Sequence, residues 1–134
     1  MDKNGLVSQL ISLNLPTDQY VVVGGGVLTI HGVRETEDID LVVTPDLFNK
    51  LKLTWTQKIR PNGKLGLYKE CFEAYLDVNC GICEKSFQAL FENSNLIEGI
   101  HFIDLPTLAE FKRSYGREKD LHDLKLIEQL QNRK

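Results

Sequence analysis

The chain has 134 residues, of which 42% are hydrophobic and 26% are charged, with a net charge of −3. This length and composition predict one globular domain spanning residues 1–134, because the chain is long enough to bury one core and too short for two. The slight acidic excess excludes the global basic field that holds a nucleic acid duplex, so a long polynucleotide is disfavoured as a substrate.

No stretch of the sequence predicts insertion into a membrane. The longest apolar run, Tyr20–Ile30, is about half of the roughly 20 residues that a membrane helix needs. The N-terminal residues, Met-Asp-Lys-Asn, lack the character of a signal peptide. We therefore expect a cytoplasmic protein without a membrane partner, whose three cysteines are reduced thiols.

The N-terminal half predicts alternating helices and strands. The apolar stripe of residues 3–14 predicts a helix, and Pro16 closes this segment. The other predicted elements of this half are strand Tyr20–Val23, helix Val27–His31, strand Ile39–Val43 and a helix from Pro45 to about Leu51 with Thr44 as its N-cap.

The C-terminal half predicts a hairpin followed by further strands and helices. Residues 55–59 and 64–69 are interpreted as two strands because Pro61-Asn62-Gly63 between them carries the Asn-Gly hairpin signal. The remaining predicted elements are strand Glu73–Asn79, helix Glu84–Phe91, strand Ile100–Asp104, a helix with a capping box at Thr107 and Glu110 that ends near Gly116, and a last helix from about Arg117 to Gln131 that buries Leu121, Leu124, Ile127 and Leu130.

The order of these elements predicts the fold class. Strands and helices alternate irregularly and enclose a hairpin, which does not suit a doubly wound parallel sheet. We therefore expect an α/β protein of the α+β kind, with a mixed sheet of about four to five strands and helices packed against it.

Two carboxylates stand at the start of the second predicted strand. Asp38 and Asp40 flank Ile39, so the alternation of side chains directs both carboxylates to one face, about 6 to 7 Å apart. Because like charges repel, a divalent cation would stabilise the pair, and Mg²⁺ prefers carboxylate oxygens. The alternative is a solvated acidic strand end that binds nothing.

Three glycines, Gly24–Gly26, directly follow the first predicted strand. A sharp turn here brings backbone N–H groups at the start of the next helix close to an anion, so the pattern predicts a phosphate site facing the carboxylates. The alternative is a simple turn. The segment is not a P-loop, because the Lys-Ser/Thr pair is missing, and Leu28 and Thr29 stand where a dinucleotide-binding motif requires its third glycine.

The combination of an apolar strand, Gly-Gly, about a dozen residues and Asp-apolar-Asp-apolar resembles the signature of the nucleotidyltransferase superfamily, which includes DNA polymerase beta and the antibiotic nucleotidyltransferases. Segment 32–41, Gly-x-Arg-x-Thr-x-Asp-Ile-Asp-Leu, resembles the small bacterial branch that holds the lincosamide-modifying enzymes and the abortive-infection type II toxins. The resemblance implies a minimal nucleotidyltransferase fold and a third carboxylate on a neighbouring strand, for which this sequence offers Asp77.

Basic residues on both sides of the Asp-x-Asp motif are candidates for contact with phosphate. Lys112 and Lys119 resemble the lysine and the Lys-Asp-x-x-Asp-Leu run with which the family often ends its nucleotide site. The alternative is a solvated helix face, where Lys119 pairs with Asp123 at i,i+4. Arg34 meets phosphate or locks its loop onto an acidic neighbour, and Thr36 is expected to order that loop.

The resemblance implies a nucleotidyltransferase that depends on Mg²⁺ or Mn²⁺ and moves a nucleoside monophosphate from an NTP to an acceptor by a two-metal mechanism. The acceptor would be a small molecule, a protein or an RNA end. The implied catalytic and metal-binding residues are Asp38, Asp40 and Asp77, and the implied nucleotide-binding residues are Gly24, Gly25, Gly26, Arg34, Thr36, Lys112 and Lys119. The alternative is a non-catalytic nucleotide-binding module or one half of a toxin–antitoxin complex, because so short a chain needs a second copy or a partner protein to complete an acceptor pocket.

Two further motifs were weighed as functional sites. Cys80 and Cys83 have the spacing of half a zinc site, but a structural zinc ion needs four ligands and only Cys71 and scattered histidines remain. The dipeptide His122-Asp123 would suit a phosphohydrolase metal site, but the histidines that would complete it are missing. We therefore expect His122 and Asp123 to be a surface pair on a helix.

Overall fold

A computed structural model describes residues 1–80 and 83–132, except for the side chains of residues 79, 80, 83 and 84. The helices are α1 (Lys3–Leu13), α2 (Gly25–Ile30), α3 (Pro45–Leu51), α4 (Phe87–Glu92), α5 (Leu105–Tyr115) and α6 (Glu118–Gln131). The strands are β1 (Tyr20–Val23), β2 (Ile39–Val43), β3 (Thr56–Ile59), β4 (Leu65–Lys69), β5 (Phe72–Tyr75), β6 (Asp77–Cys80), β7 (Cys83–Ser86), β8 (Ser94–Ile97) and β9 (Ile100–Ile103). None of the described helices combines the length and the apolar character needed to cross a membrane.

Within the described residues, seven strands form one sheet in the order β3-β4-β5-β2-β1-β9-β8, while β6 and β7 form a separate hairpin. β2 runs antiparallel to β1 and parallel to β5, and β1 runs parallel to β9. The predicted mixed sheet with packed helices is confirmed. The predicted number of four to five strands is wrong, because the main sheet has seven strands, of which β8 was not predicted.

The predicted strand Glu73–Asn79 is divided in two. The chain leaves the main sheet at Leu76, so β5 ends at Tyr75 and β6 begins at Asp77. β6 then pairs with β7, with Asp77 opposite Ser86. This pairing holds residues 83–86 in a strand, so the predicted helix Glu84–Phe91 begins only at Phe87.

Strand β8 was not predicted because the turn that follows it has a weak sequence signal. Glu98 and Gly99 both have positive φ, at 54° and 77°, which is the backbone of a two-residue hairpin turn. Asn-Gly and Asp-Gly are the usual sequences for such a turn, and Glu-Gly is a weaker signal. The turn pairs Ile97 with Ile100 and adds β8 to the edge of the sheet.

The last two helices differ from prediction at the start of α5 and on the buried side of α6. The predicted capping box at Thr107 is wrong, because Asp104 caps α5 by accepting the Thr107 N–H at 2.9 Å. α6 was predicted to bury Leu121, which is 52% exposed. The helix buries Asp120 and Asp123 instead, because both carboxylates have cationic partners.

Both faces of the centre of the main sheet are buried, since all four residues of β1 are buried. Val22 and Leu41 are paired across β1 and β2 on one face, and α2 packs closely there, since a Cβ on Gly26 would lie 3.1 Å from Val22 Cγ1. Asp40 and Glu73 are paired across β2 and β5, and strand alternation places them on the opposite face. Asp40 therefore lies beside another carboxylate on a largely apolar face.

Candidate functional site

A cleft of about 990 Å³ opens beside the Asp-x-Asp motif. We call it the motif cleft, and it is lined by Gly25, Arg34, Glu35, Thr36, Glu37, Asp38, Asp40, Lys112, Arg117, Glu118, Lys119, His122 and Asp123. Six of these side chains are acidic and four are basic, so the lining carries a net charge of −2 with His122 neutral. A polyphosphate would therefore need cations to bind here.

Asp38 and Asp40 both line the motif cleft. Asp38 is exposed just before β2, whereas Asp40 lies within β2 and is half-buried. Oδ1 of Asp40 is buried and has no hydrogen-bond partner in the described part of the chain. Burial, together with the adjacent Glu73 and the negative charge of Asp38, raises the pKa of Asp40 well above its usual range.

Glu73 is the carboxylate that the sequence analysis missed. It lies opposite Asp40 on β5, and its carboxyl group is close enough to raise the pKa of Asp40. Tyr75 Oη also donates a hydrogen bond to Glu73 Oε1 at 3.0 Å. We call Asp38, Asp40 and Glu73 the carboxylate cluster. The available signal was the polar-apolar alternation of Phe72-Glu73-Ala74-Tyr75, which resembles that of residues 38–41.

Asp77 occupies a different position from the one the resemblance implied. It begins β6, where its Oδ2 pairs with Lys64 Nζ at 2.8 Å, and its Oδ1 is buried without a partner among the described residues. Asp77 lines a small cavity of about 80 Å³ that also touches Asp40. No group of three or more His, Cys, Asp or Glu residues in the described ranges has an arrangement that could hold a metal ion. Asp38, Asp40 and Asp77 therefore do not form one ligand group.

The first two glycines of the motif allow side chains to approach the backbone of the turn. A Cβ on Gly24, whose φ is 69°, would lie 2.7 Å from Asp40 Oδ2. A Cβ on Gly25 would lie 3.0 Å from Arg34 Nη2 and 3.1 Å from Thr36 Oγ1. Both positions require glycine because the functional side chains already occupy the space.

The loop between α2 and β2, residues 31–38, is called the motif loop. Three cations and two buried carboxylates join it to α5 and α6. Arg34 binds Asp123 with two hydrogen bonds of 2.9 and 3.0 Å. Lys112 Nζ lies 3.0 Å from Asp123 and 3.4 Å from Asp120, and Arg117 Nε lies 2.6 Å from Asp120. We call these five residues the paired network. Burial raises the pKa of Asp120 and Asp123, but the cations outweigh it and hold both pKa values below their usual range.

The paired network shows which partners the basic residues have within the protein. Arg34 locks its loop onto an acidic neighbour, Asp123. Thr36 orders the same loop, as predicted, because its Oγ1 donates to the Asp38 carbonyl oxygen at 2.9 Å. Lys119 is exposed on the motif cleft and makes no ion pair within the described residues, so the alternative pairing with Asp123 is not formed.

His122 and Asp123 both line the motif cleft but differ in burial. His122 is exposed, whereas Asp123 is buried in the paired network, so the two do not form the expected surface pair. The side chains of Cys80 and Cys83 lie outside the described residues. Cys71 is a free thiol, and burial raises its pKa, which disfavours the reactive thiolate.

The chain was compared with known proteins in three ways. No protein-family model, no curated protein and no solved structure matches it. A function for the motif cleft therefore has to be inferred from its residues.

Proposed function

We propose that the protein is a Mg²⁺-dependent nucleotidyltransferase that transfers a nucleoside monophosphate from an NTP to a hydroxyl or phosphate of an acceptor. The observation that carries this proposal is Asp40, whose buried Oδ1 lacks a partner among the described residues while its carboxyl group contacts Glu73. An unsatisfied buried acid costs stability. Its retention at the edge of a cleft that also carries basic residues is explained if a bound cation satisfies it.

The donor atoms of the carboxylate cluster fit Mg²⁺ or Mn²⁺. Mg²⁺ is usually held by one or two protein carboxylates together with water and substrate phosphates, so three compact protein ligands are not required. Asp40 and Glu73 adjoin one another, and Asp38 is exposed on the same cleft as Asp40. When bound, the cation would supply Lewis-acid stabilisation of negative charge on the phosphates.

Basic residues of the motif cleft would orient the polyphosphate. Lys119 is exposed and free of ion pairs within the described ranges, so it can contact a phosphate without breaking an existing pair. Lys112 lies close enough to Asp40 to lower the pKa of that carboxyl, which opposes the raising effect of burial. Because the lining has a net charge of −2, we expect NTP binding to require the divalent cation.

The proposed reaction is a displacement at the α-phosphorus. The acceptor oxygen forms a bond to that phosphorus while the bond to the α,β-bridging oxygen breaks, and pyrophosphate leaves with the electron pair. The acceptor proton passes to a carboxylate. Asp77 is our candidate for this role, because its buried Oδ1 has no partner within the described chain and the cavity it lines also touches Asp40.

The alternative is a non-catalytic nucleotide-binding module or one half of a toxin–antitoxin complex. One observation favours it: Arg34, Lys112 and Arg117 already pair with Asp120 and Asp123. Their charges are therefore partly neutralised before any phosphate binds. A homodimer or a partner protein would then supply what the cleft lacks.

The proposal is tested with NTPs labelled at the α-phosphate. The protein and its Asp40→Asn variant are incubated with each NTP, Mg²⁺ and a cell extract, and transfer of the label is measured. Label transfer by the parent protein, and not by Asp40→Asn, supports the nucleotidyltransferase. Mg²⁺-dependent NTP binding without transfer into any extract supports the non-catalytic alternative, and the absence of such binding contradicts both.

A further inference from the structure

We infer that a second cleft binds the acceptor, and that this acceptor joins an aromatic ring to an anionic group. We call it the tyrosine cleft, and its volume is about 580 Å³. The side chains that carry the argument are Arg60, Tyr68, Tyr75 and Tyr115. The cleft shares Asp40, Lys112 and Arg117 with the motif cleft. The inference rests on the proposed function only where it calls the bound molecule an acceptor.

The position of the tyrosine cleft fits the geometry of the proposed reaction. In phosphoryl and nucleotidyl transfer the attacking and leaving oxygens are roughly in line through the phosphorus. An acceptor must therefore arrive from a side that the polyphosphate leaves open. The two clefts adjoin at Asp40, Lys112 and Arg117, and their other lining residues differ, so a polyphosphate in the motif cleft would leave the tyrosine side chains accessible to the acceptor.

Arg60 gives the tyrosine cleft a cation that is available to a ligand. Its guanidinium stacks on the ring of Tyr75 at 4.1 Å, and its side chain makes no hydrogen bond or ion pair within the described residues. Stacking leaves the N–H groups at the edge of the guanidinium free to bind a phosphate or a carboxylate with two hydrogen bonds. Arg117, in contrast, stacks on Tyr115 at 4.6 Å and is paired with Asp120.

Gly66 shows that these side chains converge closely. A Cβ at this position would lie 2.9 Å from Tyr68 Oη, 3.0 Å from Tyr75 Cε1 and 3.1 Å from Arg60 Cδ. Glycine inside a strand weakens it, yet Gly66 is within β4. Its absence of a side chain is what lets the arginine and the two tyrosines meet over the sheet.

The chemistry of the lining identifies the class of ligand. Each of the three tyrosine rings has a cation over one face, so an aromatic ring of the ligand would stack on an opposite face or against an edge. The Arg60 guanidinium matches an anion. The cleft volume of about 580 Å³ lies within the range of small-molecule sites. Two sources share this chemistry, namely a nucleoside monophosphate and a carboxylic acid that carries an aromatic ring.

Calorimetric titration with four probes tests the ligand class. AMP, 4-hydroxyphenylacetate, adenosine and ribose 5-phosphate are titrated into the full chain with Mg²⁺ and a non-hydrolysable NTP analogue at saturation, and again without the analogue. We expect AMP or 4-hydroxyphenylacetate to bind in both conditions, and the one that binds identifies the source. Adenosine and ribose 5-phosphate each lack one required group and should bind at least tenfold more weakly than AMP if AMP is the ligand. If neither ring-bearing anion binds, the inference is overturned.

Two variants locate the binding in the tyrosine cleft. Arg60→Gln should weaken binding of the ring-bearing anion at least tenfold, and Gly66→Ala should weaken it by displacing the Arg60 and Tyr75 side chains. Arg113→Gln is the matched control, since Arg113 is an exposed arginine on α5 that lines neither cleft. Unchanged affinity in both Arg60→Gln and Gly66→Ala overturns the inference.

The same titrations separate this inference from the proposed function. Arg60-dependent binding of a ring-bearing anion together with no Mg²⁺-dependent NTP binding would remove the nucleotidyltransferase and leave the ligand site in place. Normal Mg²⁺-dependent NTP binding, with no binding of a ring-bearing anion, would remove the ligand site and leave the proposed function in place. Thermal melting of each variant identifies any loss of affinity that comes from unfolding.

Discussion

Two polar groups of residues flank the motif cleft, and their charges are balanced in opposite ways. In the paired network, Asp120 and Asp123 are buried, and each has two cationic partners. In the carboxylate cluster, Asp40 contacts another acid, and its Oδ1 has no partner within the described residues. The acids of the paired network are therefore balanced by adjacent cations, whereas the acids of the carboxylate cluster adjoin one another.

This difference separates residues that position the site from residues that are available to a ligand. The two hydrogen bonds from Arg34 to Asp123 join the motif loop to α6 across 89 positions of sequence, so the network fixes the loop that leads into Asp38 and Asp40. Removing one member of such a buried pair leaves a charge uncompensated and is strongly destabilising. Removing a member of the carboxylate cluster relieves repulsion, so the two groups should respond to mutation with opposite signs.

The largest expected effect comes from breaking the paired network. Asp120 is fully buried, and Asp120→Ala would leave Arg117 and Lys112 without this partner, so we expect a loss of about 3 to 5 kcal/mol in the free energy of unfolding. Urea denaturation measures it. Glu128→Ala is the control, because Glu128 is exposed on the same helix and should change stability by less than about 0.5 kcal/mol. Equal effects of the two changes would show that the network does not stabilise the fold.

Asp40→Asn should act in the opposite direction and depend on pH. Because the folded state raises the pKa of Asp40, the stability contributed by its proton is present at low pH and is lost as the pH rises through the folded-state pKa. Asparagine cannot ionise, so we expect the variant to be more stable than the parent at pH 8, with a smaller advantage at pH 5. Denaturation in metal-free buffer at both pH values measures this gain.

The same variant should lose Mg²⁺-dependent NTP binding while remaining folded. A variant that melts far below the parent in metal-free buffer would show that the carboxylate cluster is structural.

The paired network should show the reverse dependence of stability on pH. Because the pKa values of Asp120 and Asp123 are lowered, the stability they contribute is present above the unfolded-state pKa and is lost as the pH falls through the folded-state values.

A side chain at Gly25 should weaken NTP binding. Its Cβ would contact Arg34 Nη2 and Thr36 Oγ1 and would obstruct a phosphate approaching the turn, so Gly25→Val should cost at least about 1.4 kcal/mol, a tenfold loss of affinity. Gly26→Ala is the matched control, since its Cβ faces Val22 and Leu6 in the core. It should lower the melting temperature and leave the affinity per folded molecule unchanged. Parental NTP affinity in Gly25→Val would contradict a phosphate site at the turn.

The smallest effect on NTP affinity is expected for Asp77→Ala. Asp77 lies outside the motif cleft, so nucleotide binding should change by less than about 1 kcal/mol, or severalfold, while label transfer is lost. Glu73→Gln should instead weaken Mg²⁺-dependent NTP binding, because Glu73 adjoins Asp40. Isothermal calorimetry and label transfer on both variants check the pair. Normal turnover by Asp77→Ala would remove Asp77 from the proposed reaction.

Elements with local sequence signals could be predicted from the sequence alone. The bounds of β1, β2 and α3 agree with prediction, and α3 is capped by Thr44, whose Oγ1 accepts the Leu47 N–H at 3.2 Å. The Asn62-Gly63 turn joins β3 and β4 as predicted. Each of these features depends on residues within a few positions of one another. Asp38 and Asp40, two positions apart in the sequence, both line the motif cleft.

The residues that surround Asp38 and Asp40 depend on the tertiary structure. Glu73 meets Asp40 because β5 runs parallel to β2 in one particular register, and a shift of one residue would turn Glu73 to the other face. Asp123 is buried because Arg34 and Lys112 reach it from other elements. Side-chain periodicity along α6 could not reveal this, since the free energy of burying a charge depends on partners that the fold brings from distant parts of the chain.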